Sequence, residues 1–135
     1  MEYLIETRSK RTKALFKIIV PRMLKELKLE RSRKTLLIRI CKGDLEGQEG
    51  STVPLDAIDS YVVLIKPKNL KDMGLTLAHE MIHVKQLAKG TLKQVNGVNY
   101  WKGKRYRKNH RYLEMPWEVE AFSKQELLFR RTLER

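Results

Sequence analysis

Leu75-Thr76-Leu77-Ala78-His79-Glu80-Met81-Ile82-His83-Val84-Lys85-Gln86-Leu87 is the stretch on which the reading of this chain turns. Its apolar residues, Leu75, Leu77, Ala78, Met81, Ile82, Val84 and Leu87, recur at helical spacing and predict a helix over about 72–89. Asp72 or Asn69 caps its start and Gly90 ends it. A helix sets His79 and His83 one turn apart on one face. Glu80 is then displaced about 100° around the axis. Two imidazoles so placed can bind one divalent ion. The carboxylate beside them can take a proton from water that the ion activates, which is the physical logic of H-E-x-x-H. The chain has three histidines, and two of them are here. An apolar helix would otherwise have to bury two imidazoles and a carboxylate with nothing to satisfy them. The competing reading is a pair of satisfied core histidines.

A catalytic zinc usually keeps three protein ligands and one open position. His110, Glu114, Glu118 and Glu120 are the candidates for the third. Pro116 opens a final helix that runs to about residue 133, since proline suits the first helical turn. On it Glu118 shares a face with Ala121, Phe122, Gln125 and Phe129, an inward face interrupted by one acid. Glu120 instead lines up with Lys124, the spacing of a surface ion pair. Glu118 is therefore the preferred third ligand, with Glu120 and His110 as alternatives. Tyr112 and His110 precede the ligand helix and are candidates to stabilise a developing oxyanion. For Tyr112 and Trp117 packing is the competing role. Gln86, three residues beyond His83, is placed to support that imidazole.

Residues about 9–29 read as a helix in which Pro21 predicts a kink or break near Val20. Residues 35–41 and 61–66 read as strands, both well buried. Lys42 to Ser60 reads as a loop with a short strand near Ser51–Val53. Residues 91–108 carry Asn96-Gly97 and Lys102-Gly103, which is hairpin chemistry. The order helix, strands, helix, hairpin, helix implies an α+β domain. The 135 residues fit a single domain, 1–135.

His79-Glu80-x-x-His83, then 34 residues, then Glu118-Val119-Glu120-Ala121 on a second helix, resembles the glutamate-zincins, the clan of thermolysin. That resemblance implies a minimal zincin-like domain with a small sheet, an N-terminal helix, an active-site helix, a β-hairpin and a C-terminal ligand helix. It implies Zn2+ on His79, His83 and Glu118, and Glu80 as general base. In that clan a small residue often follows the ligand glutamate by three, and Ala121 does so. More narrowly, His79 to Gln86 followed by Tyr112 to Ala121 looks like short, uncharacterised proteins with metallopeptidase motifs that are common in bacteriophage genomes, sometimes labelled SprT-like. The label is loose. SprT-type proteins use a third histidine, and their clan-mates often add a cysteine-based zinc ribbon, for which this chain has no cysteines.

Hydrophobic residues make up 41% and charged residues 33%, a globular balance. No apolar run reaches the roughly 20 residues of a membrane span. The N-terminus lacks the order of a signal peptide. The expected location is cytoplasmic, in a host cell if the chain is phage-encoded. The single cysteine, Cys41, excludes an internal disulfide and reads as a core residue. The net charge is +13. Residues 1–40 hold 12 basic and 4 acidic side chains, and residues 102–111 hold 6 basic and none acidic. Such clusters attract polyanions, and Tyr100, Trp101 and Tyr106 alternate with basic residues as on single-strand nucleic-acid platforms.

Three functions follow as expectations. The first is a zinc metallopeptidase acting on a peptide or protein substrate, with an edge strand near the site to hold it. The second is a metal-dependent nuclease. The third is a non-catalytic nucleic-acid-binding protein on the same scaffold, using basic residues 102–111 and 8–39.

Overall fold

A computed structural model describes residues 1–107 and 111–134. Four strands form the main sheet: β1 (Glu2–Glu6), β2 (Thr35–Ile40), β3 (Gly50–Leu55) and β4 (Ser60–Ile65). Their spatial order is β1-β2-β4-β3, with β1, β2 and β4 parallel and β3 antiparallel at the edge. Helix α1 (Lys10–Glu26) makes the crossover from β1 to β2, and α2 (Leu70–Ala88) follows β4. Three short strands, β5 (Leu92–Val95), β6 (Val98–Trp101) and β7 (Lys104–Tyr106), form a second, antiparallel sheet. Helix α3 (Pro116–Leu133) closes the chain. The fold is thus α+β. Among the described residues no helix is long and apolar enough to cross a membrane.

The helices cover one face of the main sheet. Phe16, Ile19, Val20 and Met23 of α1 share a core with Leu36, Ile38, Val63 and Ile65 of the sheet and with Leu77, Met81 and Val84 of α2. The other face is open, so β2 and β4 alternate between buried and partly exposed positions. That corrects the expectation that both strands are well buried: helices on one side only leave Leu37 and Val62 half-buried. Cys41 follows β2 and is likewise only half-buried.

Helix α1 ends at Glu26, short of residue 29, and runs through Pro21 without a break. The carbonyl freed by Pro21 belongs to Lys17, and both residues lie on the exposed face, so the missing bond leaves no buried polar group. Strand β1, with Tyr3-Leu4-Ile5 at its centre, is not among the expected elements. It is set by a distant parallel partner, with Leu4 opposite Leu37 and Glu6 opposite Arg39. Strand β3 is six residues long, longer than the short strand expected, and tolerates Pro54 because it is an edge. The 91–108 region holds two tight turns and hence three strands. Asn96 and Gly97 have φ of 51° and 76°, and Lys102 and Gly103 have 51° and 83°, the left-handed pairs of two-residue hairpins.

Two glycines allow the close approaches that frame the site. A Cβ on Gly74 of α2 would stand 2.3 Å from Phe129 Cε1 of α3. A Cβ on Gly50 of β3 would stand 2.7 Å from Thr76 Cγ2 and 3.0 Å from Glu80 Oε2. The first lets the two helices meet closely, and the second brings the edge strand against α2.

Candidate metal centre

Asn69 caps α2, its side chain accepting from the Asp72 backbone N–H at 2.9 Å. From Met73 onward the helix is buried on most sides, and it takes His79, Glu80 and His83 inside with it, at 6, 4 and 7% exposure. Helix α3 delivers Glu118, also buried, from the opposite side. The Glu118 Oε1 atom lies 2.8 Å from His79 Nε2 and 3.1 Å from His83 Nε2, and the two Nε2 atoms are 3.2 Å apart. Zinc–nitrogen distances near 2.0 Å in a tetrahedron imply ligand atoms roughly 3.3 Å apart. The triangle therefore has nearly the dimensions that one ion requires.

The other ring nitrogens explain why these atoms face one another. His79 Nδ1 lies 2.7 Å from Gln125 Oε1, and His83 Nδ1 lies 2.7 Å from Gln86 Oε1. An amide oxygen only accepts, so each Nδ1 carries the proton and, in the neutral ring, each Nε2 keeps its lone pair. Two such nitrogens and a carboxylate oxygen converging at about 3 Å repel one another unless a cation lies among them. A shared proton meets that need, and then no buried side-chain polar atom lacks a partner among the described residues. A divalent ion meets it with the same three atoms.

The electrostatics carry the same message. Burial pushes the Glu118 carboxyl up, but when the imidazoles also carry a proton on Nε2 their hydrogen bonds and their charge outweigh it and hold the group down at about 2. Burial pulls His83 down, and the Glu118 hydrogen bond with the negative charge of Glu80 and Glu118 more than reverses this, leaving it raised. Glu80 is raised because burial outweighs the two imidazoles and a hydrogen bond from Thr52. It lies within 4.8 Å of the imidazole nitrogens. Its Oε1, however, is held by Thr52 Oγ1 of β3 at 2.8 Å, so Glu118 and not Glu80 completes the tight triangle.

Tyr112 stands in a short 3-10 turn, Tyr112–Glu114, and is 39% exposed. Its phenol reaches Glu118 and is raised by burial, then by the charge of Glu118, the hydrogen bond to it and the charge of Glu80. It is a neutral donor at physiological pH. Two clefts meet at Glu80 and Tyr112. One, of about 540 Å³, includes Thr52, His83, Trp117 and Glu118 in its wall. The other, of about 250 Å³, includes His79, Phe122 and Gln125.

The remaining candidates fall elsewhere. Glu120 does not approach the imidazoles: it accepts from Gln86 Nε2 at 3.1 Å and pairs with Lys124 at 3.5 Å. Glu114 is exposed, and His110 lies outside the described residues. Trp117 packs with Leu92, Trp101 and Met115, the packing role weighed for it. Thr52, Gly50 and the contact of Gln125 with His79 were not foreseen. Gln125 had a signal, seven residues from Glu118 on one helical face. Thr52 and Gly50 had none, because they sit in a stretch read mainly as loop. No protein-family model, curated protein or solved structure matches the chain.

Proposed function

We propose that the protein is a zinc-dependent metallopeptidase of the zincin type, with His79, His83 and Glu118 as ligands and Glu80 as general base. The observation that carries this is the convergence of three lone-pair-bearing atoms within 3.2 Å, beside a fourth, separately anchored carboxylate. A zinc ion held there supplies Lewis acidity, polarising a carbonyl and lowering the pKa of water. Glu80, raised by burial and steadied by Thr52, is suited to accept a proton and pass it to a leaving amine. Tyr112 offers a neutral O–H toward charge developing on an oxygen. Edge strand β3 and the larger cleft give an extended peptide room beside Glu80.

Purified protein should contain zinc near one equivalent, and His79→Ala should not. Glu80→Gln should keep its metal and lose casein hydrolysis by about 100-fold or more. Absence of zinc from the wild type would overturn the metal centre, and full activity of Glu80→Gln would overturn the base. A second reading, nuclease or non-catalytic nucleic-acid binding on the same scaffold, has one observation in its favour. Residues 92–107 carry five basic and no acidic side chains. Chelator-sensitive cleavage of nucleic acid without casein hydrolysis would favour a nuclease. Binding that falls steeply with salt, with no hydrolysis of either substrate, would favour a binding protein.

A further inference from the structure

Gln86 is 2% exposed and each end of its amide is committed. Its oxygen accepts from His83 Nδ1 at 2.7 Å. Its nitrogen donates to the Trp117 carbonyl at 3.0 Å and to Glu120 Oε1 at 3.1 Å. An amide nitrogen has two protons, and both are used on groups that only accept. Reversing the amide would set its oxygen against a carbonyl and a carboxylate and its N–H against the Nδ1 proton of His83, in a site from which water is largely excluded. Buried mismatches of that kind are among the most costly polar errors. Gln125, which serves His79, is only half-buried.

We infer that Glu120 is a positioning residue for the metal centre: it fixes the amide of Gln86, and through it the Nδ1–H tautomer and ring orientation of His83. The inference rests on the metal-centre reading and gives Glu120 a task other than ligation. It also makes Gln86 a clamp between helices. Trp117 O belongs to the residue before Glu118, so one side chain registers a ligand on α2 against a ligand on α3. Lys124 pairs with the other oxygen of Glu120 and extends the chain of contacts to the surface.

The test compares wild type with Glu120→Ala, Glu120→Gln and the exposed control Glu126→Ala. Zinc affinity is measured by chelator competition, and the imidazole protons of the zinc-loaded protein are observed by 1H–15N NMR. Glu120→Ala should weaken zinc binding about tenfold or more and should broaden or lose the His83 Nδ1–H signal while that of His79 persists. Glu120→Gln should stay near wild type, since its carbonyl can accept the same proton. Glu126→Ala should be unchanged. If Glu120→Ala does not fold, Glu120→Lys, which sets a donor against the donor end of Gln86, has the same expected sign. The inference is overturned if Glu120→Ala binds zinc like the wild type, or if Glu120→Gln weakens equally, which would indicate charge and not orientation. A wild type that takes no zinc overturns the metal centre itself, a distinguishable result.

Discussion

The molecule packs in two clusters of very different weight. One unites α1, the main sheet, α2 and the later turns of α3, with Ala121, Leu128 and Phe129 among its members. The other has four buried residues, Leu92, Trp101, Met115 and Trp117, beneath the small basic sheet. Helix α3 begins in the small cluster and ends in the large one. Glu118 stands at the crossing, directly after Trp117. The fold and the site thus depend on different packing: the large cluster holds the molecule together, while the small one sets where the first turn of α3 sits, and with it the third candidate ligand.

That division can be broken from the heavy side first. Phe16 is fully buried in the large cluster and distant in sequence from every candidate ligand. Phe16→Ala should destabilise the protein by about 3–5 kcal/mol, read from the midpoint of denaturant unfolding. The fraction that stays folded should bind zinc as the wild type does. If zinc affinity falls in step with stability, the two clusters are one cooperative unit and the distinction fails.

From the light side, Trp101→Ala removes a ring whose centroid lies 6.4 Å from that of Trp117. The small cluster borders solvent, and its neighbours can relax, so the expected cost is smaller, about 1–3 kcal/mol. Zinc affinity should nevertheless fall more than in Phe16→Ala, because α3 loses the seat of its first turn. Unchanged affinity in Trp101→Ala would show that the large cluster alone places Glu118.

What the sequence made legible follows the same boundary between local and distant causes. Helix α2 was readable because its periodicity and its caps are local, and the two-turn chemistry of Asn96-Gly97 and Lys102-Gly103 was readable for the same reason. Glu118 stood out as an acid on an apolar helical face, and the structure buries it against His79 and His83. Strand β1 was harder to read, since Tyr3-Leu4-Ile5 is a short run of strand formers whose partner, residues 35–39, is distant in sequence. Thr52 and Gly50 were hidden likewise: their part in the site arises when β3 comes to lie beside α2. The pair of Glu120 with Lys124 follows from helical spacing, but the other oxygen of Glu120 turns inward to Gln86, which spacing along α3 alone cannot reveal.

The smallest expected effect concerns pH, and it separates the two clusters by charge. Among the described residues the buried carboxylates and imidazoles, Glu80, Glu118, His79 and His83, all lie at the crossing. In metal-free protein His83 is raised above its ordinary 6.5, so its contribution is fully present below that value and is lost as pH rises through the folded value. Glu80 is raised above 4.5 and acts with the same sign: the folded state favours its neutral form, and ionising it costs stability as pH rises. Glu118 is lowered to about 2, so its contribution is present above 4.5 and is lost only as pH falls toward 2. The chelated protein should therefore melt at its highest temperature near pH 4.5, lose stability above that as Glu80 ionises, and lose more above pH 6.5 as His83 gives up its proton. Saturating zinc should flatten that alkaline decline, because an ion among the three ligand atoms replaces the proton that rising pH removes; at 100 times its Kd it adds about 2.7 kcal/mol. Glu80→Gln should make the decline of the chelated protein shallower, since one of its two sources is gone. A chelated wild type whose melting temperature stays level or rises from pH 6 to 8 would mean that the crossing is not the seat of the charge cost.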